Sequence, residues 1–87
     1  MYIREQDVIW TKLNGTVVAM GVGSGKYFEI EGVGQLVWEL LEQQRSISEL
    51  VEAVVAEHEV DAAECERDMR EFITALQAAD LVQKIEC

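Results

Sequence analysis

Near residue 31 the hydrophobic pattern of this chain changes its period. The segment Lys26 to Trp38, KYFEIEGVGQLVW, contains the change: a short alternating run passes through a glycine pair into an apolar stretch with helical spacing. Alternation places successive side chains on opposite faces of a strand, whereas an i, i+3, i+4, i+7 pattern makes one stripe on a helix. Every strand signal falls within the first thirty residues and the rest reads as helix. Such a chain can build only a small sheet, and a small open sheet has exposed edges. An exposed edge carries unpaired backbone donors and acceptors that another chain can meet.

The strand signals are three. Val8 to Leu13 alternates loosely and is rich in β-formers. Asn14-Gly15 follows, a strong hairpin signal because both central residues of a type I′ turn need positive φ. Thr16 to Val22 is then the return strand, and Gly21, Gly23, Ser24 and Gly25 mark a second turn. Lys26 to Ile30 forms the third strand, with Phe28 and Ile30 on one face and Tyr27 and Glu29 on the other.

Helical spacing then begins. Val33, Leu36, Val37, Leu40 and Leu41 make the first stripe, Trp38 widens its buried arc, and Gln43-Gln44-Arg45 closes it. Ser46-Ile47-Ser48-Glu49 is a capping box, in which the Ser46 hydroxyl accepts from the Glu49 amide and the Glu49 carboxylate reaches back. Ile47, Leu50, Val51, Val54 and Val55 repeat the spacing, and Glu57 to Val60 reads as a break. Asp61-Ala62-Ala63-Glu64 resembles a second capping box. The third helix is expected to run to about Ala79 with Cys65, Met69, Phe72, Leu76 and Ala79 on one face. Leu81-Val82 is an apolar tail able to pack back on the core. The expected fold is α+β and winged-helix-like, a three-stranded antiparallel sheet followed by three helices in a single domain over residues 1–87.

The charge narrows the function. Seventeen acids against seven bases give a formal charge of -10. Nucleic-acid affinity comes largely from Lys and Arg on phosphates, so this balance argues against it. In the third helix acids outnumber arginines, which argues against a recognition helix. No apolar run approaches the roughly 20 residues that span a bilayer. The segment MYIREQD lacks the basic flank and apolar stretch of a signal peptide, so the expected location is cytoplasmic. Cys65 and Cys87 lack CxxC spacing and imply neither a zinc site nor a disulfide framework. Cys65 falls on the third helix, where a small buried apolar role is expected. His58 has no nucleophile in a recognisable pattern beside it, and no catalytic constellation or cofactor motif is evident. Gly21 to Lys26 falls short of both phosphate-binding loops: position 26 is not glycine, Tyr27 stands where a P-loop needs Ser or Thr, and a strand follows rather than a helix.

What remains is the third strand and a flank of the third helix. Asp68, Phe72, Ala75 and Ala79 lie within about 60° of one another at 100° per residue. If this flank runs beside the strand, a groove lies between them. An extended peptide can add to the sheet there, with backbone hydrogen bonds giving affinity and alternate side chains entering apolar pockets.

Three stretches carry a resemblance to a known family. They are Gly25 to Ile30 running on through Gly34, Val37-Trp38 and Leu41; Ser46 to Leu50; and Arg67 to Leu76 followed by Ala79-Asp80-Leu81-Val82. In order and spacing, from about Asp7 to Val82, they resemble the PqqD-like domain, the RiPP recognition element, and most of all its stand-alone form from lasso-peptide biosynthesis. Met69 departs from the family's usual valine and Asp80 from its common glycine. The resemblance implies a non-catalytic adaptor without cofactor or metal. It binds the leader of a ribosomally made precursor by strand addition and delivers it to a leader peptidase and an ATP-dependent macrolactam synthetase. The site residues so implied are Lys26, Tyr27, Phe28, Glu29 and Ile30, mainly through backbone groups, with Asp68, Phe72, Ala75, Leu76 and Ala79 on the third helix. Asp68 either pairs with a basic leader residue or complements the helix dipole. An alternative from another class is a PQQ-type chaperone or accessory subunit docking on a radical modifying enzyme. An unoccupied edge also predicts weak self-pairing through the third strand.

Overall fold

Asn14 and Gly15 reverse the chain with φ of 51° and 80°, the left-handed pair a type I′ hairpin requires. The computed structural model describes residues 1–85; Cys87 lies outside them. Around this turn strands β2 (Val8–Leu13) and β3 (Thr16–Gly21) pair antiparallel, Val8 opposite Gly21 and Leu13 opposite Thr16. Strand β4 (Tyr27–Ile30) pairs with β3 alone, Val17 opposite Ile30 and Met20 opposite Tyr27, giving the order β2-β3-β4.

Three helices follow: α1 (Val33–Leu40), α2 (Ile47–Glu57) and α3 (Ala62–Ala78). Gly32, with φ of 59°, makes the turn from β4 into α1. The widened stripe of α1 is real, for Val37, Trp38 and Leu41 are all essentially inaccessible. The Ser46 capping box forms in full: Glu49 N–H donates to Ser46 Oγ at 3.1 Å and Ser46 N–H to Glu49 Oε1 at 2.9 Å. Helices and inner sheet face meet in one core, with Val17, Ala19 and Ile30 from the sheet against Trp38, Leu50, Ile73 and Leu76. Cys65 is buried among them as a free thiol.

Several expectations change. The third strand starts at Tyr27 rather than Lys26, whose amide donates to Ser24 Oγ at 3.2 Å, and the second ends at Gly21 rather than Val22. Asp61 does cap α3, but its side chain accepts no hydrogen bond there, so the second capping box is absent. The buried stripe of α3 runs Cys65, Met69, Ile73, Leu76; Phe72 sits one step round, half-buried.

A second sheet of two strands was not foreseen. Strand β1 (Tyr2–Arg4) pairs antiparallel with β5 (Val82–Lys84), Ile3 opposite Gln83. Its other side exchanges hydrogen bonds with Arg45, at 2.7 and 2.9 Å. The expected apolar tail thereby becomes structure, with Leu81 and Val82 buried. The Arg4 guanidinium carbon sits 5.1 Å from the Trp10 ring centroid and 4.9 Å from that of Trp38. Burial lowers the Arg4 pKa, and the nearby Glu42 and Glu39 carboxylates act against that shift. The guanidinium and its stem thus close the core beside the two indoles.

Candidate functional site

Which backbone groups of β4 are free follows from its register. The Gly21 N–H donates to the Lys26 carbonyl at 3.1 Å, and the Val22 N–H donates to the Asp7 carbonyl at 3.1 Å. Alternate residues of β3 therefore face opposite neighbours: odd positions bond β4 and even positions bond β2. In an antiparallel ladder hydrogen-bonded and non-bonded pairs alternate. Phe28 and Ile30, opposite Ala19 and Val17, thus turn their peptide groups to β3. Tyr27 and Glu29, opposite Met20 and Val18, turn theirs away. No other strand of the described residues meets that side. Two amides and two carbonyls, those of Tyr27 and Glu29, are the open edge.

Helix α3 lies alongside because three contacts hold it there. Ser24 Oγ donates to the Ala79 carbonyl at 3.0 Å, tying the β3–β4 turn to the end of α3. Gly21 permits that approach, since a Cβ on it would lie 2.7 Å from the Ala79 carbonyl oxygen. Farther along, the Phe28 and Phe72 rings meet edge to face, centroids 6.4 Å apart. Gly34 at the start of α1 completes this corner; a Cβ there would come within 2.9 Å of Ile30 Cγ2 and 3.2 Å of Phe72 Cζ.

The ten residues expected at the site divide by accessibility. Lys26, Tyr27, Glu29 and Asp68 are exposed, and Phe28, Phe72 and Ala75 are half-buried. Ile30, Leu76 and Ala79 are buried at 1%, 0% and 6% exposure, so they support the site from the core rather than line its surface. The groups brought together on the surface are the outward edge of β4, the two phenylalanine rings, and the Asp68–Phe72–Ala75 flank.

Beyond the Ile30 end of β4 the surface opens into a cavity of about 530 Å³. Its walls come from the start of α1, the α2–α3 turn and the first turns of α3, with Val54, Val60, Met69 and Phe72 among them and Glu31, Glu59, Asp61, Glu64 and Asp68 also in its lining. Cys65 contributes to one wall. Burial pushes its thiol pKa up and Asp68 adds to the shift, so it stays protonated and is a poor nucleophile at neutral pH. Among the described residues there is no group of three or more His, Cys, Asp or Glu able to hold a metal, and no helix long and apolar enough to cross a membrane.

Of the groups around this groove, the sequence pointed to Asp68 but not to Ser24, Gly21 or the cavity acids Glu31, Glu59, Asp61 and Glu64. The glycine pair around Gly34 was a visible signal of close approach. Ser24 read only as a turn residue, and the acids come from separate elements that only the tertiary structure unites.

Comparison with known proteins places the chain in a family and a fold. The profile of the family described as coenzyme PQQ synthesis protein D (PqqD) matches residues 16–82. Among solved structures, TbiB1 in complex with the TbiA(beta) leader peptide superposes with a TM-score of 0.85 at 32% identity, covering 98% of this chain and 99% of that one. A lasso peptide synthetase B1 complexed with the leader peptide superposes with a TM-score of 0.81 at 18% identity, over 95% and 98% of the two chains, a likeness of fold. No curated protein sequence matches.

Proposed function

Because this chain belongs to the PqqD family, we propose that it is a non-catalytic adaptor for the leader segment of a ribosomally synthesised precursor peptide in lasso-peptide biosynthesis. The leader adds as a strand to β4, beside α3, and the adaptor presents it to a leader peptidase and an ATP-dependent macrolactam synthetase. The observation that carries this reading is the unpaired edge of Tyr27 and Glu29 beside a half-buried apolar flank. It occurs in a chain 32% identical, over nearly its whole length, to a protein solved with a leader bound. Strand addition supplies sequence-tolerant affinity through the backbone, and the flank reads alternate side chains.

The test is titration of the isolated chain with a synthetic leader of the precursor encoded beside its gene, followed by amide hydrogen exchange. Binding without any enzyme, with new protection at the Tyr27 and Glu29 amides, is the expected result. Binding that requires a modifying enzyme favours an accessory subunit instead, and protection elsewhere moves the site.

A further inference from the structure

The cavity at the end of β4 has a chemistry that strand addition does not use. Five acidic residues, Glu31, Glu59, Asp61, Glu64 and Asp68, are among those lining it, and no Lys, Arg or His is. All five residues are exposed, and none makes a salt bridge among the described residues, where the ion pairs are Lys12–Glu39 and Arg70–Glu66. Between the acids lie apolar walls that include Val54, Val60, Met69 and Phe72. A concave site lined by one sign of charge focuses its field and concentrates the opposite charge.

We propose that this cavity binds a lysine or arginine of the same extended peptide that β4 holds, the basic residue lying just beyond the strand-paired segment and next to an apolar one. The inference rests on the strand-addition reading, because the cavity begins where Ile30 ends the edge. A long basic side chain suits both features of the site. Its methylene stem lies along apolar surface while its charged head reaches the acids. An acidic or purely aliphatic residue satisfies only one feature or neither. The edge of β4 accepts many sequences, so this cavity and the Asp68–Phe72 flank are where the adaptor discriminates among leaders.

Selection of a random displayed peptide library tests this on the full-length chain. Three proteins are compared: wild type; a rim variant carrying Glu31→Gln, Glu59→Gln, Asp61→Asn and Glu64→Gln; and a control carrying Asp7→Asn, Glu42→Gln, Glu52→Gln and Glu71→Gln. The control removes as much charge from elsewhere on the surface. Only peptides whose binding Tyr27→Pro weakens are scored. The expected wild-type pool carries a Lys or Arg at fixed spacing from an alternating apolar segment, retained by the control and lost by the rim variant. A selected peptide should bind the rim variant about tenfold more weakly at low salt, the difference shrinking at high salt. Loss of the basic preference in both variants would assign it to net charge and overturn the proposal, as would its retention in the rim variant. A wild-type pool without basic residues overturns the cavity assignment and leaves strand addition standing. A pool in which no peptide depends on Tyr27 overturns strand addition itself, and the cavity proposal with it.

Discussion

A single proline separates the open edge from the ladder. The register turns the Tyr27 N–H outward and the Phe28 N–H toward Ala19. Tyr27→Pro removes an outward donor at the first residue of a strand, a position where proline is tolerated. The preceding Lys26 needs no helical conformation, which proline would disfavour. The fold should therefore survive. In the complex, a peptide carbonyl loses its donor and is left unsatisfied, which costs roughly 1–3 kcal/mol. One decade in Kd is about 1.4 kcal/mol, so leader affinity should fall by about tenfold, within a range of roughly fivefold to 150-fold. Tyr27→Ala isolates the side chain, which is 67% exposed on the outer face and contributes little to the core. Phe28→Pro instead breaks the pairing to β3 and truncates the ring that meets Phe72, a loss of about 3 kcal/mol or more in stability. Calorimetric titration and urea melts read the two effects apart. Equal affinity for wild type, Tyr27→Ala and a folded Tyr27→Pro would refute binding along this edge.

Other expectations concern single residues. Asp68→Ala should weaken leader binding less than Tyr27→Pro does, by a factor that shrinks as salt rises, because Asp68 is exposed and an ion pair there is screened; calorimetry at two ionic strengths checks this. Asp80 has φ of 58° just past α3, where the Leu81 N–H donates to the Leu76 carbonyl at 2.9 Å and the Asp80 N–H to the Gln77 carbonyl at 3.0 Å. This is a Schellman ending, so Asp80→Gly should relieve left-handed strain and stabilise the fold by about 0.5–1 kcal/mol, visible as a higher melting temperature. The hydrogen bond from the Ser46 N–H holds the Glu49 carboxyl below its ordinary pKa. A folded pKa below the unfolded one adds stability above the unfolded value and loses it as pH falls through the carboxylate range, so Glu49→Gln should flatten the acid limb of a stability–pH curve. Without peptide, β4 should pair weakly with β4 of a second copy, since only Lys26 and Glu29 blunt its edge; sedimentation velocity should show a concentration-dependent dimer that leader abolishes, and a monomer at high concentration would count against it.

The sequence made the sheet and helices readable because their signals are local. Asn14-Gly15 dictates a hairpin at one dipeptide, Ser46 and Glu49 dictate a helix start at four, and Val37, Trp38 and Leu41 mark a buried arc. The β1–β5 sheet was illegible because its strands are three residues each and join the two ends of the chain. A period of two leaves almost no trace in three residues. Helix α3 was harder still. Phe72 and Ile73 are adjacent large apolar residues, and spacing alone does not say which enters the core. The structure puts Ile73 at 1% exposure and leaves Phe72 half-buried against Phe28. The helical flank of the candidate site was thus visible in the sequence, but its partition into surface and support was not: Leu76 and Ala79 look equivalent to Ala75 by type and differ by a rotation.

That partition bears on how an adaptor of this size can bind a peptide without reorganising. The Ser24–Ala79 bond and the Gly21 approach fix one end of β4 against α3, and the Phe28–Phe72–Gly34 corner fixes the other. Ile30, Leu76 and Ala79 anchor both walls in a core that is already packed. The outward groups of Tyr27 and Glu29 are therefore pre-positioned at strand spacing before any partner arrives. Holding both walls in advance reduces the ordering cost charged against binding to that of the incoming peptide. Under the proposed strand addition, most of the affinity would come from backbone pairing, which is indifferent to sequence, and discrimination would fall to the few side chains flanking the edge. A variant that loosens the corner, such as one that enlarges Gly34, should consequently weaken binding of every leader alike, whereas neutralising the cavity acids should change which leaders bind.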